Sequence, residues 1–241
     1  MAEKYYESRI KCDVLNALRK RGIIDSRSIV ASEYVLGSTG RRADLAIYNG
    51  SRLIGIEIKS KHDSLARLKP QLSVYTACFD EVILVSDEKH LTSITDAVPP
   101  EVSIFTVSES GSIIIWREAL VPATRTKSVS LKLLTMSDLK KLVGVPIGAP
   151  VKKAALLTAA QELSDKLIFE SVTTSFVQTF SETSTKFWEH VGGRNVSHRG
   201  LLHLSRFAPE RINVIQKKEK QQLFWELWRH QAKETLQIAS S

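Results

Sequence analysis

The sequence predicts an α/β fold with a mixed sheet followed by a mainly helical C-terminal region, and three observations predict it. Apolar residues recur at helical spacing over residues 3–20. Three strand-like runs come next at 28–36, 42–47 and 53–58, the last two flanking Asn49-Gly50, the dipeptide that most strongly signals a two-residue hairpin turn. A helical stretch at 69–79 then leads into the short, wholly apolar run 82–86, the pattern of a buried parallel strand after a crossover helix.

Each element has its own warrant. Ile10, Val14 and Leu18 share one face of the first helix, and Gly22 ends it. Glu33 interrupts the apolar pattern of the first strand, either to face the same site as Asp44 or as an edge-strand charge. Arg41 and Arg42 open the second strand and are candidates for phosphate contacts, with solvent-facing charge as the alternative. If Asn49 and Gly50 make the whole loop, Tyr48 pairs with Ser51, Ala46 with Leu53 and Asp44 with Gly55. Side chains alternate along a strand, so Gly55, Glu57 and Lys59 project from one face and Ile54, Ile56 and Ile58 from the other. Asp44 then lies diagonal to Glu57, at about 7–8 Å, with Gly55 leaving space between them.

Two carboxylates facing each other without a counter-charge repel, and each resists ionisation. A cation resolves the conflict. Hard oxygen ligands favour Mg²⁺ or Mn²⁺, and Lys59 beside such an ion could orient or deprotonate a water or stabilise charge on a phosphate. On the next helix Pro70 suits a first turn, and Gln71 and Tyr75 fall one turn apart on a single face.

Asp44 followed after a hairpin by Glu57-x-Lys59 resembles the signature of the PD-(D/E)xK nuclease superfamily, with Ala43 where the proline of the name would stand. The Gln-x-x-x-Tyr helix resembles that of recombination-helicase exonuclease domains. The run from EIKS through DSLARL and QLSVY to FDEVILVS resembles a group of small bacterial and phage-associated nuclease-fold proteins of poorly defined role. The likeness covers about the first half of the chain. It implies a restriction-endonuclease-like αβββαβ core and a metal-dependent phosphodiesterase acting on DNA, in repair, recombination or mobile-element and defence biology. It implies that Asp44, Glu57 and the Ile58 carbonyl bind metal, that Lys59 positions the nucleophile, and that Gln71 and Tyr75 support the site. In several such families a first-helix glutamate reaches the metal, and Glu7 matches best here; the other reading is an acid favoured by the helix dipole. Without the resemblance, Glu-x-Lys on a strand reads as a solvated face, and Gln71 with Tyr75 as an ordinary packed pair.

Beyond residue 100 the runs 102–107 and 112–116 make a last hairpin at the sheet edge, and 121–127 reads as a linker. The remainder of the chain is helical in pattern at 137–143, 151–180 with interruptions, 185–191, 201–207 and 212–232. The chain thus divides into a nuclease-like domain, 1–120, and a basic helical region, 121–241, for DNA binding or oligomerisation. The formal net charge is +8, and because 1–120 is balanced the whole excess lies in 121–241. Such a distribution separates chemistry from polyanion gripping, or is simply a solvated basic surface. Residues 135–163 loosely resemble small helix-extended loop-helix DNA-binding modules, with Lys152 and Lys153 opening the second helix; two helices packed across a turn are the alternative. Phe224, Leu227 and Trp228 form an aromatic stripe suited to a core or a partner.

Two cysteines in separate helices give neither a disulfide framework nor a zinc motif. A charged N-terminus and the lack of a long apolar run point to the cytoplasm and away from membranes. The expected partners are DNA and a second copy of the chain, with no small-molecule cofactor. A non-cleaving DNA-binding module on a nuclease fold, acting in a larger complex, is the alternative function.

Overall fold

In the computed structural model, residues 2–204 are described except 96 and 109, with side chains from residue 6 onward, together with Lys217, Gln221, Phe224, Trp225 and Trp228. Helix α1 (Ala2–Lys20) is followed by strands β1 (Ile29–Val35), β2 (Arg42–Tyr48) and β3 (Leu53–Lys59). Helix α2 (Leu68–Cys78) leads to β4 (Glu81–Asp87), and the short α3 (Leu91–Ile94) to β5 (Val102–Val107) and β6 (Ile113–Arg117). The six strands lie in chain order. β1, β2 and β3 are antiparallel neighbours, β4 and β5 run parallel to β3, and β6 returns antiparallel. The helix, three-strand, helix, strand order is therefore present, in a mixed sheet.

The hairpin register differs from the one expected. Tyr48 pairs with Leu53, Ala46 with Gly55 and Leu45 with Ile56, so the loop holds four residues, Asn49 to Arg52. The reason is the Asn49 side chain, whose Oδ1 accepts from the N–H groups of Ser51 and Arg52 and from the Ser51 hydroxyl, closing a wider turn than Asn-Gly alone would make. Four is still an even number, so facing residues keep their parity. Gly55 has a different role from the one expected. A Cβ there would meet the Phe79 ring at 2.2 Å, so the glycine admits the end of α2 rather than spacing two carboxylates.

The sheet separates two apolar cores. Beneath α1, Ile10, Val14, Leu15 and Leu18 pack with Leu45, Ile47, Ile54, Ile56, Ile58 and Val85. On the other face Ala31, Ala46, Leu53, Leu72, Tyr75, Phe79 and Leu84 meet a helical layer. That layer is α4 (Lys127–Leu133), α5 (Met136–Val143), α6 (Lys153–Gln161) and α7 (Asp165–Val191), followed by the one-turn α8 (His198–Leu201). α7 reaches both cores, with Phe176 and Phe180 in the second and Phe187 and Trp188 in the first.

The change from strands to helices near residue 120 is thus a change of secondary structure within one compact unit that runs to Ser205. The segment read as a linker is pinned: Arg125 is buried, 3.5 Å from Asp80 Oδ1 and 3.2 Å from the Phe169 carbonyl. Helix α4, which the sequence pattern did not suggest, begins at its last residue, Lys127. The interruption expected between 180 and 185 is absent because Ser184 turns inward, bonding Val30 N–H and C=O at 2.8 and 3.0 Å. Residues 206–241 form a second unit. Its five described positions are helical and exposed, with the Phe224, Trp225 and Trp228 rings meeting edge-on. The rest of the helix expected over 212–232, including Leu227, lies outside the described residues. Among the described residues no helix is long and apolar enough to cross a membrane.

Candidate active site

The ladder between β2 and β3 stops at Leu45 and Ile56, which makes Asp44 and Glu57 the next facing pair. There Asp44 Oδ2 accepts from the Ile58 N–H at 2.7 Å. Residue alternation also slips at this level. Val30 and Leu45 belong to the α1 core, yet Tyr34 and Ala43, which strict alternation would place with them, lie with the other core. Glu33 marks the slip, with a left-handed backbone, φ 58°. Such a conformation costs about 1–2 kcal/mol for a residue with a Cβ, and here it accompanies a carboxylate turned into a crowded acidic cluster.

Glu7 from α1, Glu33 from β1 and Asp44 from β2 each place a carboxylate oxygen within 4.8 Å of the others. Lys11 reaches them from α1. It is 5% exposed, its ammonium is 2.8 Å from Glu7 Oε1, and it contacts Glu33 Oε1. Burial opposes the charge on Lys11, but the carboxylates of Asp44, Glu33 and Glu7 outweigh it and its pKa is raised. Arg42 holds the second oxygen of Glu33 through Nε at 2.6 Å. Burial, and then the Glu57 carboxylate, push Asp44 up to about 8, against the pull of Lys11 and the Ile58 N–H.

Glu57 and Lys59 form the other half of the site. Both are buried, and Lys59 Nζ donates to Glu57 Oε1 at 2.6 Å. The Tyr75 hydroxyl lies 2.5 Å from Glu57 Oε2 and 2.7 Å from the Arg42 carbonyl. Burial and the Glu57 charge raise the phenol pKa, so it stays protonated and remains a donor. One turn earlier on α2, Gln71 buries an amide oxygen that finds no hydrogen-bond donor among the described residues, a position that costs about 1–3 kcal/mol.

The residues named from sequence fall into three groups. Asp44, Glu57, Ile58, Lys59 and Tyr75 are joined by the contacts above, and Glu7 and Glu33 join them through Asp44. Arg42 binds Glu33, while Arg41 precedes it at the strand start. Lys152 and Lys153 are exposed at the start of α6 and take no part in the bonds of the cluster. Lys11 was not foreseen, although its position four residues after Glu7 and three before the core residue Val14 puts it on the buried stripe of α1. Cys12 and Cys78 are buried free thiols pushed up to about 12 by burial, which keeps them protonated and weakly nucleophilic near neutral pH.

Comparison with known proteins matches residues 1–205 to the family model described as bacteriophage P4 protein cII. Protein cII of Enterobacteria phage P4 is 32% identical over 226 residues, spanning 91% of this chain and 84% of that protein. A solved structure, the SPO1766 protein of unknown function from Silicibacter pomeroyi, shares 19% identity at a TM-score of 0.34, over 46% of this chain and 69% of that one. That likeness is too slight to carry an argument.

Proposed function

We propose that this chain, which belongs to the bacteriophage P4 protein cII family, is a divalent-metal-dependent nuclease that hydrolyses DNA phosphodiester bonds on a restriction-endonuclease-like core. The observation that carries the reading is the meeting of Asp44, Glu57 and Lys59 at the open end of the β2–β3 ladder, with Lys59 bonded to Glu57. Three carboxylates with oxygens mutually within 4.8 Å are a hard donor set that suits Mg²⁺ or Mn²⁺. Asp44, Glu7 and Glu33 would hold the ion, with Glu57 and the Ile58 carbonyl as the further oxygens the superfamily resemblance adds. When bound, such an ion neutralises phosphate charge and lowers the pKa of a water.

The chain's own groups do the rest. The Ile58 N–H fixes the direction of Asp44, and Tyr75 fixes that of Glu57. Lys59 keeps a buried ammonium at the site, able to hold a proton at Nζ or to meet the charge on a phosphate oxygen. Gln71 offers an acceptor that meets no donor among the described residues, as expected of a side chain completed by substrate. Exposed Lys152 and Lys153, in the half of the chain carrying the net charge of +8, supply sequence-independent grip on DNA.

The test is incubation of the full-length protein with linear, circular, single-stranded and branched DNA in Mg²⁺, Mn²⁺ or EDTA. Cleavage is expected with metal and not in EDTA, falling about 100-fold or more in Asp44→Asn and in Lys59→Met. No cleavage by the wild type, or equal cleavage by both variants, sinks the assignment. One observation favours a second reading, a non-cleaving DNA-binding module: three of the site's carboxylates already have internal cations, Glu7 in Lys11, Glu33 in Arg42 and Glu57 in Lys59. That reading predicts salt-sensitive DNA binding that persists in EDTA and in Glu57→Ala, with no cleavage under any metal.

A further inference from the structure

The acidic cluster already holds a cation of its own. The Lys11 ammonium touches Glu7 Oε1 and Glu33 Oε1, and those two carboxylates with Asp44 are the three whose oxygens lie within 4.8 Å of one another. A hard divalent ion draws such oxygens to about 2.0–2.6 Å. An ammonium and a divalent ion sharing one oxygen shell would repel each other at close range in a poorly solvated site. The two occupants are therefore alternatives.

We propose that Lys11 is the resident counter-ion of the cluster, a positioning residue that keeps Glu7 and Glu33 in place until a divalent cation takes over their oxygens. The inference rests on the metal-dependent reading of the site and adds to it how an ion gains entry. The surrounding contacts suit an exchange of this kind. Glu33 is held independently through its other oxygen by Arg42 at 2.6 Å, and Asp44 by the Ile58 N–H at 2.7 Å. Neither anchor is lost when the ammonium leaves. Glu7, four residues before Lys11 on the same helix, has a side chain 39% exposed, so the exit lies on the solvent side of α1. Lys11 has a flexible four-carbon stem, and swinging the ammonium outward needs no backbone change.

The experiment is calorimetric titration of Mn²⁺ into the full-length wild type, Lys11→Met and Lys11→Arg, without DNA. Lys11→Met is expected to bind Mn²⁺ about tenfold or more tighter than the wild type, since no ammonium has to be displaced, while Lys11→Arg stays close to the wild type. If wild type binds and Lys11→Met binds equally or more weakly, the exchange is overturned and the metal-dependent reading stands. If neither protein binds Mn²⁺, both fall. Should Lys11→Met fail to fold, nitrogen-15 lysine spectra of the wild type decide the matter. The buried Lys11 ammonium signal is expected to lose its protection from solvent exchange at saturating Mg²⁺, and an unchanged signal overturns the exchange.

Discussion

At the scale of single residues, Glu33 combines a backbone that favours glycine with a side chain that glycine lacks. Glu33→Gly and Glu33→Ala both remove the carboxylate, so their difference isolates the backbone. The glycine variant is expected to be more stable by about 1 kcal/mol in urea unfolding, and an alanine variant of equal or greater stability would show that φ 58° carries no strain. Asp44 gives the site a pH dependence. Its folded pKa, pushed up to about 8, stands above the ordinary carboxylate value, so the folded state holds the proton that the unfolded chain releases. In EDTA, stability is therefore expected to fall as pH rises from the ordinary carboxylate range to about 8 and then to level off, by at most about 1.4 kcal/mol per pH unit. Asp44→Asn should remove that slope in thermal melts across the same range. Asp44, Glu57 and Lys59 were legible in the sequence because the turn signal and the period-2 pattern of β3 place them at one end of the two strands, an arrangement that survives the slip of alternation at Asp44. Lys11 was not, because a Glu-Lys pair one helical turn apart usually lies on a solvated face, and only the arrival of Glu33 and Asp44 from other elements makes this one internal.

At the scale of elements, the hairpin shows how little of a register a dipeptide can specify. Asn49-Gly50 correctly marks a turn, but the Asn49 carboxamide recruits Ser51 and Arg52 into it, and the pairing moves by two residues. Parity survives such a shift; the identity of the partner does not. Asp44 consequently faces Glu57 across the strands instead of lying diagonal to it. Gly55 was read for its chemistry and turns out to be set by packing, since Phe79 at the end of α2 occupies the space over it. Gly55→Ala drives a methyl into that ring and is expected to destabilise the protein by about 1–3 kcal/mol. Because α2 also carries Gln71 and Tyr75, the same change should loosen the Tyr75 bond to Glu57. A wild-type unfolding midpoint in the variant would show that the ring moves aside freely.

At the scale of the whole molecule, the αβββαβ order was readable because each of its elements is local, defined by periodicity and turn residues. The docking of the helical layer was not. Tyr34 on β1 meets Phe176 and Phe180 on α7 at ring separations of 5.1 and 5.6 Å, contacts that no local pattern announces. Gly37, just after β1, lies so close to α4 that a Cβ would sit 1.9 Å from the Lys132 carbonyl oxygen. The helices are thus the second half of one hydrophobic core. Residues 1–120 alone are expected to lack cooperative thermal unfolding by circular dichroism, whereas 1–205 keeps it; a sharp transition in the shorter fragment would contradict this. The same long helix also plugs one position on the outer edge of β1. A strand from another molecule laid alongside β1 would find the main chain of Val30 already claimed by Ser184. At the opposite edge, on β6, Ile114 and Trp116 stand 53% and 55% open to solvent, the apolar kind of edge on which an added strand would find a surface to cover.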